Sequence, residues 1–161
     1  MKIYNFLSKT IYLTIVSLAL LTVSCKDDDK TPETVDTNQI VGKWQLTSIT
    51  PETAGTSIPA LASLTAIVPC VYSLVFTFES NNKVTPSGCD VATQLLTTTG
   101  YLTVGQDTKW KVANNTLTLT TGSTVQALPL KQNTNDMTIT VNTNTATTGP
   151  AVNALLSFKR I

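Results

Sequence analysis

The chain has 161 residues, 42 % of them hydrophobic and 13 % charged, with a net charge of +1 and no histidine. This length suits one domain after processing, the charge balance offers no basic stripe for nucleic acid, and the commonest general base, metal ligand and pH switch are missing together. Solubility must rest on threonine, serine and asparagine, and threonine suits a strand with one wet face.

Residues 1–24 read as a signal peptide. Lys2 and Lys9 give a positive head, and the apolar run 11–23 is too short to span a bilayer comfortably. Small Ser24 then precedes Cys25. This order resembles the lipobox of bacterial lipoproteins, with Thr22 where leucine is usual and Leu21 one step back. The resemblance implies that the Cys25 thiol receives a diacylglyceryl group and that acyl chains such as palmitate hold the protein to a membrane. Each buried methylene adds about 0.8 kcal/mol, so several chains make a stable anchor. Lys26-Asp27-Asp28-Asp29-Lys30 resembles the surface-export signal of Bacteroidota lipoproteins, which implies an outer-membrane location facing the medium. A solvated spacer is the plainer reading. Residues 31–38 cannot bury enough to offset their ordering entropy. Residues 25–38 therefore read as the lipidated cysteine and a flexible acidic tether, and residues 39–161 as the folded domain.

Ile40, Gly42, Trp44 and Leu46 alternate with Val41, Lys43 and Gln45. That period of two predicts a first strand with one dry face. Gly42 lets the backbone pass close to a neighbour, and Trp44 is large enough to plug the end of a barrel. Residues 51–55 are a turn. Ile58, Leu61, Leu64 and Val68 recur every three or four residues, Pro59 suits a first helical turn and Pro69 stops one. A short helix near 58–68, capped by Thr56 or Ser57, is predicted, with its apolar stripe on the sheet or across an opening. Tyr72, Leu74, Phe76 and Phe78 then share one face of a strand. Residues 79–82 turn, and the chain returns from Lys83 toward Gly88. Further strands are predicted at 98–104, 108–113, 116–121, 124–131, 137–142 and 152–161. Asn114-Asn115 is a two-residue hairpin turn, 133–136 another turn, and 143–150 a polar loop. The fold class is all-β: a small antiparallel up-and-down barrel of about eight strands with one short helix. A sandwich is the alternative, and closure is favoured because it removes exposed edges.

Cys70 and Cys89 flank the 72–88 hairpin, in a compartment that is oxidising. With Phe78 opposite Lys83, Tyr72 faces Cys89, and a small register change brings the two sulfurs together. A disulfide is expected, stabilising by roughly 3 kcal/mol. No Cys-x-x-Cys spacing and no histidine supports a metal or redox pair.

Gly42-Lys43-Trp44, Cys70 and Cys89 around the Phe-rich strand, Lys109-Trp110-Lys111-Val112 followed by Asn115-Thr116-Leu117-Thr118-Leu119, and Leu156-Ser157-Phe158-Lys159-Arg160 occur in that order over most of the domain. Together they resemble the lipocalin-like domains of lipid-anchored Bacteroidota proteins. The resemblance implies an up-and-down barrel with an internal apolar cavity, and a last-strand Arg160 packed over Trp44 as a cation–π pair of about 1 kcal/mol. A small apolar or amphipathic ligand in such a cavity would lie against Trp44, Phe76, Phe78 and Trp110. The alternative is a filled interior, with Phe76, Phe78, Trp110 and Leu119 occupying the middle.

The domain's acids, Glu52, Glu79, Asp90, Asp107 and Asp136, fall mostly in predicted turns, and no spacing brings two together as a catalytic pair. A Ser-His-Asp triad is impossible without histidine, and no glycine-rich phosphate loop exists. The reading is a non-catalytic protein without cofactor or metal. Its partners are a membrane through the lipid anchor and a small hydrophobic ligand. The alternative is a surface interaction protein with a filled core, an unidentified protein partner and an apolar patch on the 58–68 helix.

Overall fold

The computed structural model describes residues 37–144 and 150–161, with the backbone alone at 60–63. The signal peptide, Cys25, most of the tether, the side chain of Leu61 and residues 145–149 of the polar loop lie outside the described residues.

The alternating sequence forms β1(Gly42–Pro51), β2(Val75–Phe78), β3(Val84–Ser87), β4(Lys109–Ala113), β5(Thr116–Thr121), β6(Thr124–Gln132), β7(Asp136–Asn142) and β8(Asn153–Arg160), with helices α1(Pro59–Ile67) and α2(Asp90–Thr98). One sheet of eight antiparallel strands runs in the order β3-β2-β1-β8-β7-β6-β5-β4. Its two edges meet where the Val84 N–H donates to the Thr108 carbonyl (3.0 Å) and the Trp110 N–H to the Asn82 carbonyl (2.8 Å). The result is the nearly closed up-and-down barrel that the pattern of short strands predicts.

Local chemistry accounts for the register. Asn114 and Asn115 both take positive φ, 49° and 57°, so the β4–β5 turn has the twist that suits a two-residue hairpin. Asn133 Oδ1 accepts the backbone N–H groups of Asn135 and Asp136, each at 2.8 Å, and closes the β6–β7 turn. In β1 the pairing with β8 slips between Leu46↔Phe158 and Ser48↔Ser157. This bulge moves the inward set from Trp44 and Leu46 to Ile49, which packs against the core.

Four expectations need correction. Phe78 pairs with Val84, not Lys83, because the turn closes where the Glu79 N–H donates to the Lys83 carbonyl (2.8 Å), with Asn82 in the left-handed region. Tyr72 does not share the strand face of Leu74, Phe76 and Phe78. It sits in a 3₁₀ turn, Val71–Ser73, and is 43 % exposed. The turn forms because the Ser73 N–H bonds back to the Cys70 carbonyl (2.8 Å). The Ser73 carbonyl in turn lies where any Cβ at Gly88 would overlap it. Neither Thr56 nor Ser57 caps α1; Ile58 occupies that position without a side-chain bond, and Pro59 opens the helix. Residues 98–104 are not a strand. They contain the end of α2, a helix missing from the sequence reading, and the loop after it. Ala92 and Leu96, one helical turn apart, are the buried positions of α2, and Gly100 at φ 73° follows its end.

The helices and their loops cover the end of the barrel to which β1 runs. Ile58, Leu64 and Val68 around α1 are buried, and so are Leu102 and Val104 in the loop after α2. That loop is stitched down by polar groups. Gln126 Oε1 accepts the Thr103 N–H (3.0 Å), and its Nε2 donates to the Tyr101 carbonyl (3.0 Å). Buried Thr108 accepts the Gly105 N–H (2.7 Å). Because Thr121 Oγ1 donates to the Thr103 carbonyl, the 2.8 Å contact between the two hydroxyls has Thr108 as its donor.

β6 changes partner along its length. The Leu130 N–H donates to the Asn115 carbonyl, so even-numbered β6 residues turn their main-chain groups to β5 and odd-numbered ones turn to β7. The Arg160 N–H donates to the Asn135 carbonyl, so Thr138, Thr140 and Asn142 of β7 face β6. The β6–β7 ladder nevertheless has only Leu130↔Ile139, Lys131↔Thr138 and Gln132↔Met137. The next hydrogen-bonded pair would be Pro129 with Thr140, and proline has no N–H to give. Restoring that donor in Pro129→Ala should extend the ladder by one bond. In amide hydrogen exchange, the new residue-129 amide is expected to exchange at least as slowly as its Lys131 counterpart; a fast-exchanging amide there would show that proline is not what ends the ladder.

Candidate functional site

The inward side chains of β1, β2, β4 and β8 build an aromatic block at the other end of the barrel. Trp44, Phe76, Phe78, Trp110 and Phe158 are each no more than 2 % exposed. Phe76 meets Phe158 with ring centroids 5.5 Å apart, Phe78 meets Trp110 edge-on at 5.9 Å, and Phe76 meets Phe78 at 6.5 Å. These are favourable aromatic geometries, each adding about 1 kcal/mol to the burial itself. Both indoles satisfy their N–H groups on backbone: Trp44 Nε1 donates to the Ile40 carbonyl (2.7 Å) and Trp110 Nε1 to the Glu79 carbonyl (3.1 Å). The four side chains proposed to line a ligand cavity are thus brought together, but they are packed on one another rather than around open space.

Arg160 seals this end. Its Cζ lies 4.3 Å from the Trp44 ring centroid. Its Nε donates to the Thr134 carbonyl (2.6 Å), Nη1 to the Val41 carbonyl (2.8 Å) and Nη2 to the Gln39 carbonyl. Gly42, at φ 138°, makes room, since any Cβ there would overlap the guanidinium. The glycine before Trp44 therefore serves the arginine, and the close approach read from the sequence has a named neighbour. The Cys70–Cys89 disulfide is present, with Cα atoms 5.6 Å apart, and ties the residue before the 3₁₀ turn to the residue before α2.

Glu79 accepts hydrogen bonds from Asn81 and Thr85, and Glu52 accepts one from Asn153, as turn and rim residues do. Among the described residues no three of His, Cys, Asp and Glu gather as a metal site. Lys109 and Lys111 point to solvent on either side of buried Trp110.

Concave free surface occurs around the helices instead. A groove of about 310 Å³ lies between the end of β1 and α1, bordered by Ile49, Thr56, Thr65 and Tyr72. A second, of about 240 Å³, is bordered by Ile58, Pro59, Tyr101, Thr143 and Val152. A third, of about 270 Å³, runs along α2 past Pro86, Thr93, Thr97 and Val104. Sequence reasoning missed the second and third because they depend on α2 and its loop. The signal that could have found α2 is the Ala92–Leu96 spacing.

Removing the guanidinium in Arg160→Ala would leave the Trp44 face and the Gln39, Val41 and Thr134 carbonyls without their partner. Denaturant unfolding should show a loss of about 2–4 kcal/mol, and Arg160→Lys should recover only a minor part because one ammonium cannot reach three carbonyls in a fork. A loss below about 0.5 kcal/mol would mean that the clamp contributes nothing.

A family model described as a lipocalin-like domain matches residues 40–148. Comparisons with curated proteins and with solved structures find no match. The match starts at the residue that accepts the Trp44 indole bond and runs through seven of the eight strands, so the chain belongs to the lipocalin-like domain family.

Proposed function

We propose that this protein is a non-catalytic binding protein of the bacterial outer membrane. It is tethered through a lipid on Cys25 and exposed at the cell surface, and it meets its partner at the helix-covered end of its barrel. The observation that carries this reading is the distribution of space: the middle is filled by buried aromatic side chains in edge-on and tilted contact, and the grooves border α1, α2 and the loops beside them. Exposed apolar side chains lie near the disulfide in sequence: Ile67 (74 % exposed) and Tyr72 on one side, Val91 (60 %) and Leu95 on the other. Such a grouping suits protein recognition.

A second reading follows from the family. A lipocalin-like fold is compatible with holding a small hydrophobic ligand, and Trp44, Phe76, Phe78 and Trp110 would then be its neighbours. Such a ligand would have to lift Leu102 and Val104 and part the aromatic block.

Native mass spectrometry of the full chain recovered from membranes decides between the two. The proposal expects one mass, equal to the triacylated chain beginning at Cys25, with no additional small molecule, and expects Cys25→Ser to release the protein from the membrane fraction. A non-covalent adduct of a few hundred daltons would move the binding site inside the barrel. An unmodified Cys25 would remove the anchor.

A further inference from the structure

The barrel nearly closes where the start of β3 meets the start of β4, and the residues facing each other at that junction are Lys83 and Lys109. The Val84 N–H donates to the Thr108 carbonyl on one side of the pair, and the Trp110 N–H donates to the Asn82 carbonyl on the other. Those bonds flank the pair rather than join it, and in such a non-hydrogen-bonded pair the Cβ atoms stand about 5 Å apart. Val84, Thr108 and Trp110 are buried, so alternation sends the side chains of Lys83, Lys109 and Lys111 to the outer face. Lys111 follows Lys109 on that face at about 7 Å along the strand. Three cations therefore share one patch of the wall.

Like charges set opposite one another in a sheet repel and weaken the pairing. Among the described strand pairings no other does this: Lys43 and Lys131 stand opposite Thr77 and Thr138, and Lys159 stands opposite Asp136. Nothing among the described residues relieves the repulsion. None of the three ammonium groups has an ion pair or a side-chain hydrogen bond there. Glu79, across the β2–β3 turn from Lys83, has its two oxygens on Asn81 and Thr85, and Asp107 is exposed in the turn before β4. Beside the lysines, Thr120 pairs with Lys109 and Thr118 with Lys111. Their side chains share the outer face, because Leu117 and Leu119 are buried. Neither hydroxyl has a side-chain hydrogen bond among the described residues.

Three ammonium groups and two hydroxyls select a compact group with more than one negative charge and several acceptor oxygens. A phosphomonoester meets both demands, with a charge of about −1.5 to −2 near neutral pH and three strong acceptor oxygens. A carboxylate brings one charge and leaves most of the repulsion in place.

We propose that the outer face at the β3–β4 junction is a phosphomonoester-binding site, formed by Lys83, Lys109 and Lys111 with Thr118 and Thr120. The bound anion offsets the repulsion between Lys83 and Lys109 and so strengthens the junction of the sheet's edges. The site is independent of the grooves around the helices and of lipid at Cys25.

The test is thermal unfolding of the full chain in detergent, near neutral pH, with rising sodium phosphate against sodium chloride of equal ionic strength. Amide shifts of the isotope-labelled chain accompany it. Phosphate should raise the melting temperature saturably where chloride does not, and should shift the amides of Lys83, Lys109, Lys111, Thr118 and Thr120 with one millimolar dissociation constant. Lys109→Gln should weaken phosphate binding roughly tenfold. The same variant should melt higher than the unaltered chain in low salt without phosphate, because the repulsion is gone. Lys159→Gln, which alters a lysine opposite an acid, should keep full phosphate affinity. Should Lys109→Gln fail to fold, Lys83→Gln carries the same expectations. Glycerol 3-phosphate and phosphatidic acid in the detergent micelle distinguish a soluble phosphomonoester from a lipid headgroup, and the tighter binder names the source. The proposal is overturned if chloride reproduces the phosphate effect, if the shifts centre on other lysines, or if Lys109→Gln and Lys83→Gln both keep full affinity.

Discussion

The structure depends on one cation held by three carbonyls. Arg160 is nearly the last residue of the chain, and the groups it touches belong to the segment that leads into the first strand and to the β6–β7 turn. The chain's first and last strands, β1 and β8, pair in the middle of the sheet from Trp44↔Arg160 to Pro51↔Ala154, and the barrel nearly closes where the sheet's edges, β3 and β4, meet. The guanidinium ties the ends of the β1–β8 seam with hydrogen bonds whose acceptors could not otherwise all be satisfied by the ladder, and it covers the Trp44 face at the same time. Gly42 is the local concession that makes the fit possible.

From this closure follows the filling of the interior. Once Trp44 is fixed at the barrel end, Phe76, Phe78, Trp110 and Phe158 have one another as neighbours, and each large ring removes apolar surface from water at about 25 cal/mol per Å². Eight strands enclose a space that side chains can occupy completely, and aromatic side chains do so here. The consequence is functional. A protein whose middle is packed must recognise other molecules with its outside. The outside departs from a plain barrel where α1 and α2 cover one end.

Much of this was legible in the sequence, and the exceptions have physical causes. The strands from residue 109 onward follow from alternation of Leu, Val and Trp with Thr and Lys, and the Asn114-Asn115 turn follows from the tolerance of asparagine for positive φ. The partner of Trp44 came from likeness to a family, since nothing in local spacing connects residue 44 to residue 160. Helix α2 was illegible because its threonines favour strands while its helical signal is only Ala92 and Leu96. Tyr72 misled because its alternation with Leu74 is real, yet the bond from Ser73 to Cys70 turns the chain before the strand begins. Pro129 was readable in principle. A proline inside an apparent strand announces a missing ladder bond, but which neighbour loses it depends on a parity that three-dimensional pairing alone reveals. No helix among the described residues is long and apolar enough to cross a membrane.

The filled interior is the central claim, and the chain's two tryptophans, Trp44 and Trp110, both lie in it. Their fluorescence during titration with a brominated fatty acid tests the claim most directly, because bromine quenches an indole only on near contact. The packed barrel predicts a blue-shifted emission whose intensity the fatty acid leaves unchanged. Saturable quenching at one molecule per chain would contradict it and establish a ligand chamber among the aromatic side chains.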